Sequence, residues 1–201
     1  ITISLTPVYD SMVVAAEAAL QEALAAVAPG RKLSEIGSVV ERCVQRYGFK
    51  PIRNLTGHKI DRYTVHAGKS VPNVSGIESG RFEEGEVYAL EPFVTLKDAE
   101  GAVKDSDAAY IYRFVRTKGA RSEDASKLAE YIRDTYKTLP FASRWIYGAW
   151  REGDARSAFE ELTMNRCIAG YHVLVEESGN VVSQAEHTII VTKEGSRVLT
   201  A

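Results

Sequence analysis

The sequence predicts an α+β fold, and three observations carry that expectation. Strand-like alternation opens and closes the chain, two helical patterns follow one another directly near its start, and a helical block from 122 to 170 separates the remaining strands. A doubly wound parallel sheet would instead alternate strands and helices throughout. With 201 residues, 45% apolar and 26% charged content, the chain can bury one good-sized core with a subdomain. The expected organisation is a main domain over 1–116, a helical insertion over 117–170, and the main domain's final strands over 171–201.

Each element has a local reason. Ile1, Ile3 and Leu5 alternate with Thr2, Ser4 and Thr6, the period of a half-buried strand, which Pro7 would end. The run begins at Ile1 without a methionine, as though a strand were already under way, and so predicts preceding residues. From Asp10, a suitable N-cap, Met12, Ala16, Leu20, Ala23 and Val27 recur at helical spacing until Pro29–Gly30. A second helix is expected over 33–47, with Ile36, Val40, Cys43 and Val44 inward and Gly48 closing it. "GEVYALEPFV" reads as one strand with Val87, Ala89, Glu91 and Phe93 on a face, and 109–116 as another. Strands at 171–176 and 181–192, split by the turn Ser178–Gly179–Asn180, and a closing "SRVLT" complete the chain.

Composition excludes several function classes. A net charge of −2 with scattered Lys and Arg gives no field to gather nucleic acid, so no direct nucleic-acid partner is expected. The most apolar run, from Met12, is interrupted by Glu17, Gln21 and Glu22, so no membrane span is expected. Cys43 and Cys167 form no C-x-x-C pair and no disulfide framework, which fits a reducing, cytoplasmic setting. Gly68–Lys69–Ser70 has the ending of a phosphate-binding loop, but the glycine such a loop needs five residues before Gly68 is Tyr63.

The residues that carry chemistry are two histidines and two glutamates. His58 and His66 share the stretch "GHKIDRYTVHAGK", poor in apolar residues, whose glycines would let backbone pass close to a bound group. Glu91 lies on an otherwise apolar strand face, and Glu186 shares a face with Gln184 and Thr188. An unpaired carboxylate on an apolar face is strongly destabilising unless neutralised, paired or bound to metal. Carboxylate oxygens with imidazole suit a divalent first-row metal. On spacing alone the bland readings stay open: a salt-bridged surface glutamate and a hydrogen-bonded structural histidine.

Four motifs in order, "GHKIDRYTVHAGKSVPNV", "EEGEVYALEPF", "TLPFASRW" and "SQAEHTIIVT", resemble type II methionine aminopeptidases, metallopeptidases of the pita-bread fold, over essentially the whole chain. The resemblance implies two divalent metal ions, of Co, Mn, Fe or Zn. It implies His58, Glu91 and Glu186 as metal ligands, with Glu91 also handling the proton of the attacking water, and His66 as the histidine contacting substrate near the scissile amide. Val65, Tyr171 and Pro140 would line the pocket for the methionine side chain; Tyr171 is followed by His172 where the family usually has proline, which softens that assignment.

The implied function is removal of the initiator methionine from nascent polypeptide N-termini, by metal-activated hydroxide attack on the first peptide bond, with ribosome association a further expectation. The family's two aspartate ligands and another histidine fall before the strand matching "ITISLT". The chain is therefore expected to be a C-terminal portion, inactive alone, whose partner is its own N-terminal segment. The rival from another class is a non-catalytic pita-bread paralogue that binds ribosome or RNA. A proline-specific peptidase is a second rival, disfavoured by the helical insertion and "TLPF".

Overall fold

The computed structural model describes residues 2–77, 80–151 and 153–200, in two compact units, Ile1–Lys104 with Val175–Ala201, and Asp105–Leu174. The chain passes between them along two strands. No described helix is long and apolar enough to cross a membrane.

In the first unit the strand expected over 1–6 is absent: residues 2–6 have no ladder partner, Ile3 is 76% and Leu5 97% exposed, and Ile1 lies outside the described residues. Alternation makes a strand only where a neighbour supplies the ladder, and here Thr2 alone reaches one. Its Oγ1 accepts from Gln184 N at 2.8 Å and donates to Gln184 O at 2.9 Å. Pro7 opens a 3-10 turn, Pro7–Tyr9, which Thr6 caps. Helix α1, Asp10–Ala26, follows, with Asp10 inside its first turn rather than at the cap. Its buried stripe of Ala15, Ala16, Ala19, Leu20 and Ala23 lets α2, Leu33–Arg46, pack closely. Gly48, at φ +83°, follows α2 in the left-handed conformation expected of a C′ glycine.

These helices cover antiparallel strands in two sheets. A three-stranded sheet has the order β1 (Lys50–Pro51), β5 (Phe93–Thr95), β9 (Val182–Gln184). A five-stranded sheet has the order β11 (Gly195–Val198), β10 (His187–Thr192), β4 (Val87–Leu90), β2 (Thr56–Ile60), β3 (Ser70–Pro72). Tyr88, Leu90, Ile189 and Val191 of the larger sheet join Leu20, Leu33, Ile36 and Val40 of the helices in one core. Burying such side chains contributes roughly 1.5–3 kcal/mol each.

Two runs that read as continuous strands are each broken where they change sheet. β4 ends at Leu90 and β5 begins at Phe93; β9 ends at Gln184 and β10 begins at His187. Leu90 pairs with His187 in one sheet and Phe93 with Gln184 in the other. Glu91–Pro92 and Ala185–Glu186 therefore face each other across the junction, tied by Ala185 N donating to Pro92 O at 3.2 Å.

The second unit holds most of the long strands β6 (Val103–Phe114) and β8 (Ile168–Glu176) and the short β7 (Phe141–Ala142), in the order β7-β6-β8, with helices α3 (Glu123–Tyr136), α4 (Ser143–Ala149) and α5 (Ala155–Met164). Ser122 caps α3 by accepting from Ala125 N at 3.1 Å. Leu128, Ile132, Phe141, Ile146, Phe159 and Leu162 form its own core. The helical segment expected over 117–170 falls within this unit.

One carboxylate organises the turn after β8. Glu176 accepts from Gly101 N at 2.9 Å, Ser178 N at 2.8 Å, Ser178 Oγ at 2.6 Å and Asn180 N at 3.2 Å. Burial opposes its charge, but these donors outweigh that and hold its pKa down to about 2, below the ordinary 4.5. A carboxylate whose folded pKa is depressed stabilises the fold above its unfolded value, and loses that contribution as pH falls through the folded one. Glu176→Gln is thus expected to lower the thermal midpoint at pH 7 and to flatten its decline between about pH 5 and 2, as a melting series against pH would read.

Candidate functional site

The sheet junction brings the chemistry-bearing residues of the first unit together. His58, on β2, lies opposite Ala89 of β4 and points its Nε2 to Glu91 Oε1, 3.0 Å away. The other Glu91 oxygen accepts from Gln184 Nε2 at 3.0 Å, and the same amide reaches Glu186 at 3.4 Å. His66, on the segment after β2, sets its ring edge-on to His58, with centroids 4.3 Å apart and planes at 61°. Val65 adjoins it in sequence. Pro140 precedes β7 and Tyr171 lies in β8, both in the second unit.

The sequence explains how these side chains are held. Asn73 is buried, and its Nδ2 donates to both Leu55 O and Glu91 O at 3.0 Å, fixing the Glu91 main chain where it leaves the sheet. Gly57, beside His58, gives no room to a bound group. A Cβ there would stand 2.4 Å from Ala89 O and 3.3 Å from Glu91 N, so what passes close is the neighbouring strand. Gly68 serves a turn at φ +92°. Gln184 and Asn73 were not foreseen as site residues. Gln184 shares a strand face with Glu186, a signal available in the sequence, whereas nothing in the pattern around Asn73 marks it.

The charges are unevenly distributed. Burial of His58 works against its protonated form, but the hydrogen bond and charge of Glu91 outweigh it and hold the imidazole pKa above its ordinary value. His66 is shifted the other way, by burial and then by the neighbouring His58. Although Glu186 keeps solvent access, partial desolvation and then the Glu91 charge raise its carboxyl pKa. Two carboxylates and an imidazole thus share one junction, with an amide spanning the carboxylates.

The cluster sits on an antiparallel α+β scaffold, with imidazole and carboxylate donors side by side. The chain belongs to metallopeptidase family M24, whose model matches residues 2–129. Within that class it is similar to methionine aminopeptidases. It is 39% identical over 189 residues to the enzyme of Methanothermobacter thermautotrophicus, covering 94% of this chain and 62% of that protein. The chain spans 62 to 66% of the length of the first such relatives.

Among solved structures it is similar to a thermophilic Arx1, with a TM-score of 0.72 and 22% identity over 92% of this chain and 54% of that one. It is also similar to methionine aminopeptidase from Rickettsia prowazekii, with a TM-score of 0.60 and 17% identity over 98% of this chain and 54% of that one. The expected α+β pita-bread fold is borne out.

The family implies divalent metal. The donor set fits such an ion in kind, one imidazole and two carboxylates on one junction. It is incomplete in number: among the described residues no three His, Cys, Asp or Glu side chains are gathered closely enough to hold one ion. A structural divalent site closes with about four protein ligands, and a catalytic one uses about three with an open position.

Proposed function

We propose that this chain carries the acid–base and substrate-orienting half of a methionine aminopeptidase reaction, release of an N-terminal methionine from a polypeptide in the cytoplasm. The observation that carries the reading is the connected cluster of His58, Glu91, Gln184 and Glu186 at the sheet junction, in a chain 39% identical to a methionine aminopeptidase over 94% of its length. His58, Glu91 and Glu186 would contribute one imidazole and two carboxylates to divalent metal, two ions of Co, Mn, Fe or Zn in the full reading, without closing a site by themselves. When bound, such metal supplies a Lewis acid for the scissile carbonyl and lowers the pKa of water.

The remaining work falls to side chains. Glu91, within 3.0 Å of both an imidazole and an amide, is held in one orientation from which its carboxylate takes the proton of the attacking water and returns it to the leaving amine. His66, its pKa lowered, stays neutral at pH 7 and offers an N–H to the carbonyl oxygen as charge develops there. His66 is exposed, so its ring is open to a substrate arriving from solvent.

The test is hydrolysis of Met-Ala-Ser by the protein purified at its natural length, with and without a chelator, and metal analysis on the same sample. Chelator-sensitive release of free methionine is expected. In His66→Ala, turnover should fall by about 10²-fold, the effect of deleting one donor to a developing oxyanion, with metal content unchanged. Loss of metal in that variant would make His66 a ligand instead. A protein that binds no metal and cleaves nothing would favour the rival reading of a non-catalytic binder, which the incomplete gathering of ligands also supports.

A further inference from the structure

On the face of the larger sheet opposite His58 lies a cluster of charges that the proposed reaction does not use. Glu86 immediately precedes β4, and its side chain is only 10% exposed. Its carboxylate accepts from Lys59 Nζ at 2.8 Å, from Lys69 Nζ at 2.8 and 3.0 Å, from Tyr88 Oη at 2.6 Å and from Glu83 N at 3.0 Å. Lys69 also contacts Glu83 at 2.7 Å, so two ammonium groups meet two carboxylates. Burial opposes the Glu86 charge, but the lysines and Tyr88 outweigh it and lower its pKa to about 2. The group is a carboxylate throughout the working range of a protein.

The two lysines are the residues by which the His66 segment is fastened to β2. Lys59 O accepts from Ala67 N at 2.8 Å, the residue after His66, and Lys59 N donates to Lys69 O at 2.9 Å. Between these ties the segment crosses back on itself, Asp61 and Thr64 exchanging both backbone hydrogen bonds at 2.9 Å. Glu86 thus grips the side chains of both residues whose main chains bracket His66. Its own backbone is fixed independently, since Val191 N donates to Glu86 O at 2.9 Å and Gly85 N to Val191 O at 2.9 Å. One carboxylate on a fixed strand, binding the start and the finish of a loop, is a clamp whose load is the histidine between them.

We propose that Glu86 is a positioning residue for His66, holding the 61–69 segment against β2 so that the imidazole keeps its edge-on place beside His58. The catalytic consequence rests on the peptidase reading above; the clamp itself does not. Removing the charge leaves two lysines on a shared face, with Glu83 meeting Lys69 but not Lys59 among the described contacts, and like charges so placed push apart. The loop would loosen while the junction residues His58, Glu91 and Glu186 keep their strands.

The experiment is Glu86→Gln in the full-length protein, read two ways. Amide hydrogen exchange at Ala67 and Lys59 should accelerate at least about tenfold, as local opening of a poorly buried segment does, while amides of α1 and α2 keep their rates. On a methionyl peptide kcat should fall about tenfold with KM nearly unchanged, and the same substitution should cost nothing further in a His66→Ala background, because coupled residues are non-additive. Uniform acceleration of exchange, or none, would overturn the clamp, as would an equal loss of kcat with and without His66.

If Glu86→Gln does not fold, Lys69→Met, which leaves Glu86 with Lys59 and Tyr88, must still accelerate the Lys59 amide selectively; an unchanged rate there overturns the proposal. A wild-type protein inert toward methionyl peptides defeats the peptidase reading, and the exchange rates then decide the clamp alone.

Discussion

Glu91→Gln is expected to lower turnover of methionyl peptides by about 10²–10⁴-fold, the range assigned to a positioned general acid–base group, in a protein that remains folded. The separation of the two effects follows from how Glu91 is held. Its main chain is anchored by Asn73 through Glu91 O, and the adjacent Pro92 O accepts from Ala185 N, so the junction does not depend on the side chain. The side chain meets His58 Nε2 on one oxygen and Gln184 Nε2 on the other. A glutamine can accept from one of these and turns its own N–H₂ toward the second, losing about 1–3 kcal/mol if that contact is left unmade. What it cannot do is carry a proton from water to an amine. Steady-state kinetics beside circular dichroism and a melting curve check both halves, and near-normal kcat would remove Glu91 from the role of proton carrier.

The helices were legible in the sequence because their burial is set by their own periodicity. In α2, Ile36, Val40, Cys43 and Val44 recur at 3.6-residue spacing, and all four are buried. The same logic failed at residues 2–6, where alternation is present but the ladder that would use it is not. A strand is a property of a pair, so one sequence cannot announce it alone. It failed again, more usefully, at Glu91 and Glu186. "GEVYALEPFV" and 181–192 carry no turn signal strong enough to mark a break, so each reads as one strand, with Glu91 on an apolar face and Glu186 beside Gln184 and Thr188. The structure changes sheets at those two positions, so that Glu91 and Glu186 meet at the junction rather than inside a ladder. Glu86 was illegible for the same reason: its meaning depends on Lys59 and Lys69 arriving from another strand. The chemistry of the donors could be read from residue types, and their assembly depends on pairing.

Gly57→Ala should be among the most damaging single-methyl changes in the first unit, and its effect should reach the site before it reaches the rest of the fold. Gly57 is buried in β2 between Thr56 and His58, facing the end of β4. An alanine Cβ would stand 2.4 Å from Ala89 O, 3.2 Å from Leu90 Cα and 3.3 Å from Glu91 N, and all three are backbone atoms with no rotamer to move into. The only relief is to separate β2 from β4, whose pairing sets His58 against Ala89 and so brings its imidazole to Glu91. Overpacking of this kind costs about 1–3 kcal/mol, occasionally more. Because stability is local, the separation should appear first as faster amide exchange at His58 and Ile60, while α1, α2 and the second unit keep their rates. A widened gap would lengthen the 3.0 Å His58–Glu91 contact, and a shift of about 1 Å at a reacting centre is enough to cost about 10²-fold in rate. Activity is therefore expected to fall further than the melting temperature predicts. Gly57→Ser should behave like Gly57→Ala, since the clash is with Cβ itself, and a variant with normal exchange at His58 would show that the strands can part there without consequence for the site.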